Sequence, residues 1–361
     1  MYHSFDDESN KHFIMLLQLG AGLKEQCNFP PLSREEWTRI IQMARQHAVT
    51  GILLDGINQI EQQKYPPQDL MMPMIATLLA IEKENARLNS KLEEIFDYFH
   101  SHHFHPILLK GQGNAQYYPF PEHRMSGDID LWLTDDDKTI RQFIKKRFPE
   151  SQTTYHHISF PKWENTIVEI HTTPSWMYHP SDNARLQTYF QQSVMKQDMK
   201  GIPSKQFNRV YLMIHLYRHF LEDGIGFRQL LDYAMLLKQG STQEEKDEAM
   251  QILKRIHLDK FCGGIMYVLH QLLQLNEKDL ITPPLATEGS QLANEIIQAG
   301  DLGKFDKSYR RPRETENKLQ RFLRKIWRNF SFIKYYPREI IFAPMFKCVH
   351  LIWRLKMDHR V

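Results

Sequence analysis

Residues 107–133 read ILLKGQGNAQYYPFPEHRMSGDIDLWL, and the centre of this stretch is the pair Asp128 and Asp130 set among apolar residues. In an extended segment side chains alternate faces, so Asp128, Asp130 and Trp132 point one way while Ile129, Leu131 and Leu133 point the other. Two carboxylates on one face repel each other and raise each other's pKa unless a cation lies between them, which makes the pair a candidate for divalent-metal ligation. An Asp-X-Asp triplet alone is a common surface pattern, so the context decides. A short apolar strand, Ile107 to Leu109, runs into Lys110-Gly111, where glycine permits a tight turn and close approach to a ligand. Further on lies the β-branched run Thr166 to His171, whose alternation sets Glu169 on the face of Ile167 and His171. Asp128, Asp130 and Glu169 on adjacent strands are the acids from which a two-metal site is expected.

Working outward, the segment from Pro73 to His100 has helical spacing, and Ile75, Leu78, Leu79, Leu88, Leu92, Ile95, Phe96 and Phe99 are its expected core positions. The histidines at 100, 102, 103 and 105 match no metal-site spacing and read as the loop that ends this helix before Pro106. Asp135-Asp136-Asp137 reads as a helix start, with strands following over Thr153 to Phe160 and Asn165 to His171. Earlier in the chain, Ser33 with Glu36 forms a capping-box pattern ahead of Trp37, Ile40, Ile41 and Ala44. Helices are expected over Val210 to Leu221, Phe227 to Lys238, Lys246 to Ile256 and Phe261 to Leu275. Within them His215 and His219 lack the Glu of a zinc-protease pattern and read as core or groove-lining residues, and Arg228 with Asp232 as a helix-surface ion pair.

The resulting fold class is α+β. Residues 1–99 form a helical region, 100–202 a small mixed-sheet core, 203–300 a second helical region and 301–361 a tail. The 361 residues and 42% apolar content support ordinary cores, and no apolar run reaches the ~18 residues that span a bilayer. Three widely spaced cysteines, Cys27, Cys262 and Cys348, fit neither a disulfide framework nor a CxxC site, so a reducing, cytoplasmic setting is expected. The net charge of +3 hides an asymmetry, because residues 301–361 hold 16 Lys and Arg against 6 Asp and Glu. A basic, aromatic tail on an acidic body suits an anionic partner, nucleic acid or membrane, or else docks through a Phe322, Ile326, Phe330 stripe.

Taken together, Leu109-Lys110-Gly111, Tyr118-Pro119, Arg124, Ser126, Asp128-Ile-Asp-Leu131, Val168-Glu-Ile-His171 and the helical stretch from His215 to Asp232 carry a resemblance. Over most of residues 10–300 the chain resembles the uncharacterised bacterial nucleotidyltransferases of the DNA polymerase beta-like superfamily. It departs from many superfamily members in having Lys110-Gly111-Gln112 in place of Gly-Gly or Gly-Ser, and in a longer spacing from glycine to Asp128. The resemblance implies a nucleotidyltransferase core, with two Mg²⁺ ions on Asp128, Asp130 and Glu169 and an NTP, ATP expected, as co-substrate. It also implies that Gly111 backbone N–H groups face the phosphates, that Lys110 or Arg124 neutralises their charge, that Ser126 belongs to the nucleotide site, and that His171 orients the acceptor or makes a structural bond. Transfer of NMP to a hydroxyl or phosphate of a small molecule, such as a sugar or an aminoglycoside-like compound, is the leading expectation. A protein acceptor, or a non-catalytic binding protein that uses its tail, is the alternative.

Overall fold

The computed structural model describes residues 7–196, 199, 201–300 and 318–358, so residues 301–317 of the expected tail lie outside the described residues. The chain begins with α1 (Glu8–Gly20), α2 (Arg34–Gln46), α3 (Thr50–Ile57) and α4 (Gln68–Ser101). The capping box appears at the start of α2, where Ser33 N–H donates to Glu36 Oε2 (2.9 Å) and Glu36 N–H to Ser33 Oγ (3.2 Å). Helix α4 starts five residues before the expected Pro73, directly after Pro67. Proline one turn inside a 34-residue helix removes a single backbone bond, which so long an element tolerates. Leu88, Ile95 and Phe99 are buried as expected, whereas Ile75 and Leu79 face outward, because the first turns of α4 are covered only on the side of Met74.

The central region follows as β1 (Pro106–Leu108), α5 (Gln112–Ala115), β2 (Ile129–Leu133), α6 (Asp137–Arg147), β3 (His157–Ser159) and β4 (Val168–His171). The Asp136 side chain caps α6 by accepting from Thr139 N–H, as the acidic triplet foretells. The strands form one mixed sheet in the order β1-β2-β4-β3, with β2 and β4 parallel and both edge strands antiparallel to their neighbours. The rest is helical: α7 (Pro180–Lys196), α8 (Lys205–Glu222), α9 (Phe227–Lys238), α10 (Gln243–Arg255), α11 (Asp259–Leu273), α12 (Ala286–Ala299), α13 (Lys318–Phe330) and α14 (Pro337–Asp358). A small mixed sheet flanked by helices on both sides of the sequence is the expected α+β class. None of the described helices is long and apolar enough to cross a membrane.

The alternation of β2 separates two apolar cores. Ile129, Leu131 and Leu133 pack with Leu108, Ile158, Val168 and Ile170 against Leu88, Ile95 and Phe99 of α4 and Ile140 and Ile144 of α6. On the other face Trp132 stacks on Phe207 (centroids 5.7 Å, 18° between planes) and joins the larger core built by α1, α3, α8, α9 and α11. Asp130 shares this second face, so its carboxylate is driven under α8 by the same pleat that buries Trp132. The tail segment also enters the larger core through Phe332, Tyr336 and Ile340. This corrects the expected docking stripe, since Phe330 is 48% exposed and Ile326 half-buried, while the Phe322 side chain lies outside the described residues.

Candidate active site

The site starts at the turn after β1. Gly111 adopts φ 62°, ψ −117° as the residue before α5, a conformation that a Cβ makes costly. Leu109 N–H donates to the Asp130 carbonyl (3.0 Å), which fastens this turn to β2. Asp128 lies exposed just before β2, and Asp130 is 1% exposed within it. The parallel register pairs Asp130 with Glu169 and Trp132 with His171, and residues opposed in register point to the same face. Antiparallel pairing of β3 then sets His157 across from His171.

The distances are short. His171 Nε2 stands 2.8 Å from Asp130 Oδ1 and 3.8 Å from Glu169 Oε2, while Lys110 Nζ stands 3.2 Å from Asp130 Oδ2. His157 Nδ1 is 3.6 Å from Glu169 Oε2 and 2.9 Å from His156 Nε2, and the His156 ring lies on Trp176 with centroids 3.7 Å apart. Burial alone would raise the Asp130 pKa, but the Lys110 charge and the His171 hydrogen bond outweigh it and hold the carboxyl at about 2. Glu169 moves the other way, raised by burial and then by the charges of Asp130 and Asp128. For Lys110, desolvation is overcome by Asp130 and Asp128, so the ammonium is retained. Burial and the neighbouring His171 push His157 down to about 4, and burial pushes His156 well below the usual imidazole range.

Asp130, Glu169 and His171 each offer one ligand atom, and these atoms lie within 4.8 Å of one another. Asp130 Oδ2 is buried and faces the Lys110 ammonium at 3.2 Å, so a metal ion here would share that carboxylate with Lys110 or displace it. Two carboxylates and an imidazole fit a divalent ion, with the oxygens serving Mg²⁺ and the imidazole favouring softer divalent metals. The tight cluster thus contains His171, and Asp128 stands beside it on the wall of a cleft.

That cleft has a volume of about 110 Å³ and is lined by Lys110, Gly111, Asn114, Arg124, Asp128 and Asp130 from the central region and by residues of α8 and α9. Such a volume is below the roughly 300–1,000 Å³ of pockets that enclose a drug-sized ligand, so the cleft has room for only part of a ligand of that size. His215 and His219 line it, one turn apart with ring centroids at 4.3 Å, in agreement with the groove-lining expectation. Burial lowers the His215 pKa well below its ordinary value, which keeps that ring neutral. Asn114 is 1% exposed, and neither Nδ2 nor Oδ1 has a hydrogen-bond partner among the described residues. Arg124 is buried and bidentate on Asp232, with Nε to Oδ1 at 2.7 Å and Nη2 to Oδ2 at 2.6 Å, and the Tyr118 hydroxyl donates to Oδ1 at 2.8 Å. Asp232 is therefore a buried anchor and not part of a helix-surface pair, because α9 turns this face toward the central region.

Of the residues singled out in the sequence, Lys110, Gly111, Arg124, Asp128 and Asp130 meet in the cleft lining, Glu169 and His171 adjoin Asp130, and Ser126 is not among the lining residues. His156, His157, Asn114 and the partnership of Arg124 with Asp232 were not foreseen. His157 alternates correctly in the expected strand, but only its pairing with β4 brings it to Glu169. Asn114 carried a weak signal, as a polar residue in the short helix after the glycine turn.

A family model described as "Uncharacterised nucleotidyltransferase" matches residues 33–274, about two thirds of the chain. The chain belongs to that family, while no curated protein and no solved structure matches it.

Proposed function

With this membership as the premise, we propose that the protein is a divalent-metal-dependent nucleotidyltransferase that moves NMP from an NTP, expected to be ATP, to a hydroxyl or phosphate of a small acceptor. The observation that carries the reading is the parallel register of β2 on β4, which sets buried Asp130 beside Glu169 and His171 at the edge of a cleft floored by Lys110 and Gly111. In the reaction an acceptor oxygen bonds to the α-phosphorus, the bond to the bridging oxygen of the β-phosphate breaks, and pyrophosphate leaves with that electron pair. Asp130, Glu169 and His171, with Asp128 at the cleft wall, would hold the metal, which when bound neutralises phosphate charge and lowers the pKa of an acceptor hydroxyl.

The chain's own groups supply the rest. Lys110 places a retained ammonium at the cleft floor, where charge on the departing phosphates accumulates. Gly111 leaves room for phosphate oxygens to approach the backbone at the start of α5. Glu169 is the carboxylate placed to receive the acceptor proton, and His171 keeps Asp130 oriented. Asn114 offers a donor and an acceptor that are both otherwise unused, suited to a polar group of the substrate. Arg124, its charge met by Asp232, fixes the cleft wall.

The test is a panel of the four labelled NTPs with Mg²⁺ or Mn²⁺ and metabolite, RNA and protein acceptor fractions, following pyrophosphate release and label transfer. Transfer that disappears in Asp130→Asn supports the reading. A folded wild-type sample that binds none of the four NTPs in either metal overturns it.

A further inference from the structure

We propose that Asn114 is the specificity residue of the cleft and that it recognises two neighbouring hydroxyl groups of a sugar, carried either by the nucleotide as its ribose or by the acceptor. The inference deepens the nucleotidyl-transfer reading and rests on it for the place of the phosphates. Asn114 stands in α5, three residues after Gly111, and is 1% exposed. Its backbone is already served within the turn, since its N–H donates to the Gly111 carbonyl and its carbonyl accepts from Tyr117 N–H, both at 3.1 Å. The side chain takes no part in this. Neither Nδ2 nor Oδ1 has a hydrogen-bond partner among the described residues, and both are buried in a residue of the cleft wall. A buried amide without partners costs free energy that an alanine in its place would not, so a ligand that supplies the partners accounts for the residue.

The amide selects the chemistry of that ligand, because it donates through Nδ2 and accepts through Oδ1. A phosphate oxygen only accepts, so it would serve Nδ2 and set negative charge against Oδ1. An ammonium group would fail in the opposite sense. Two adjacent hydroxyls answer both atoms, one accepting from Nδ2 and the other donating to Oδ1. Further lining residues suit a sugar as well. Leu212 and Leu216 of α8 offer apolar surface to its C–H groups, and the His215 ring, kept neutral by burial, adds one donor and one acceptor.

The edge of a nucleobase also pairs a donor with an acceptor, and two observations favour the sugar over it. No Phe, Tyr or Trp side chain lines the cleft among the described residues, so the broad rings on which bases usually stack are missing from its wall. Asn114 also lies less than one helical turn past Gly111, the glycine that faces the phosphates in the transfer reading. In a nucleotide the ribose stands between phosphates and base, so a residue this close to the phosphates meets the sugar first. An acceptor sugar brought up to the α-phosphorus reaches the same place.

The experiment measures equilibrium binding of the full chain, in magnesium, to the four NTPs, to their 2′-deoxy and 3′-deoxy forms and to pyrophosphate, and to a panel of neutral sugars and polyols with and without nucleotide. If the ribose is the partner, loss of either hydroxyl is expected to weaken binding at least about tenfold in the wild type and to change nothing in Asn114→Leu, while pyrophosphate binds both proteins equally. If the acceptor is the partner, ribo and deoxy nucleotides bind alike, and the sugars held by the wild type bind Asn114→Leu at least about tenfold more weakly. A wild type that neither distinguishes the deoxy nucleotides nor binds any sugar of the panel overturns the proposal, and that comparison does not depend on a variant that folds. Asn114→Leu with the selectivity of the wild type overturns it as well. So does a variant that loses pyrophosphate as strongly as NTP, which assigns Asn114 to the phosphates. Failure of every NTP to bind sinks the transfer reading instead, and the sugar panel then decides this one.

Discussion

Strand β2 and helix α14 are inverted versions of one another. The strand carries a carboxylate, Asp130, to 1% exposure, while the helix carries Ile341 and Val349 to 60% exposure. Each arrangement costs free energy that the rest of its neighbourhood must offset. Around Asp130 the cost is covered by Lys110 and His171, and along α14 by Glu339, Phe346 and His350 on the docked side. The comparison teaches that a residue out of its usual solvent environment is held there by neighbours that are themselves fixed.

The largest expected effect breaks the buried side of this comparison. Asp130→Asn keeps the side-chain shape and removes its charge, and nucleotidyl transfer is expected to fall by at least about a thousandfold in steady-state kinetics. A variant that turns over at the wild-type rate would sink the assignment. One residue on, Leu131 is 0% exposed on the opposite sheet face, packed between β1, β4 and α4. Leu131→Ala should cost about 2–5 kcal/mol in chemical denaturation while turnover per folded molecule stays near wild type. If both substitutions reduced turnover alike, the two sheet faces would not be separate in function.

Glu339 sharpens the α14 side. Burial pushes its carboxyl up to about 7 from the ordinary 4.5, in spite of Arg218 and the backbone N–H donor of His179. Because the folded chain holds a proton that the unfolded chain has released over this interval, the stabilisation is full below about pH 4.5 and is lost as pH rises through 7. Unfolding free energies from urea titration are expected to fall over that window by roughly 2–3 kcal/mol more in the wild type than in Glu339→Gln. Equal loss of stability in the wild type and Glu339→Gln across the window would refute the raised Glu339 pKa. A smaller effect belongs to Asn114→Ala, for which KM for the nucleotide or acceptor should rise about tenfold with the fold intact. The smallest is Val349→Ser, expected within about 0.5 kcal/mol of wild-type stability, since the side chain leaves solvent only when a partner covers it.

Much of this was legible in the chain. The period-2 pattern across Ile129 to Leu133, the Ser33–Glu36 cap, the acidic start of α6 and the boundaries of α9 all follow from signals within a few residues of one another. Gly111 was legible for the same reason, because a positive φ at a turn before a helix is a local demand. The aliphatic residues of α14 were legible as residues but not as a surface. Helical periodicity defines a stripe without saying whether it faces a core or solvent, and Glu339, Phe346 and His350 settle that through partners about 150 to 200 positions away. The same limit explains Asp232, whose expected surface pair with Arg228 gave way to burial against Arg124, 108 residues distant.

By itself the sequence determined that Asp128 and Asp130 share a face, that a glycine turn precedes them and that a third acid follows on a strand. Only the tertiary structure decided that Glu169 stands in register with Asp130, that His171 joins them within 4.8 Å, and that His157 reaches Glu169 from the edge strand. The physical reason is that pleat and turn are set by neighbouring residues, whereas strand register is set by burial of both sheet faces at once, and a slip of one residue would turn Asp130 into the core that holds Leu131.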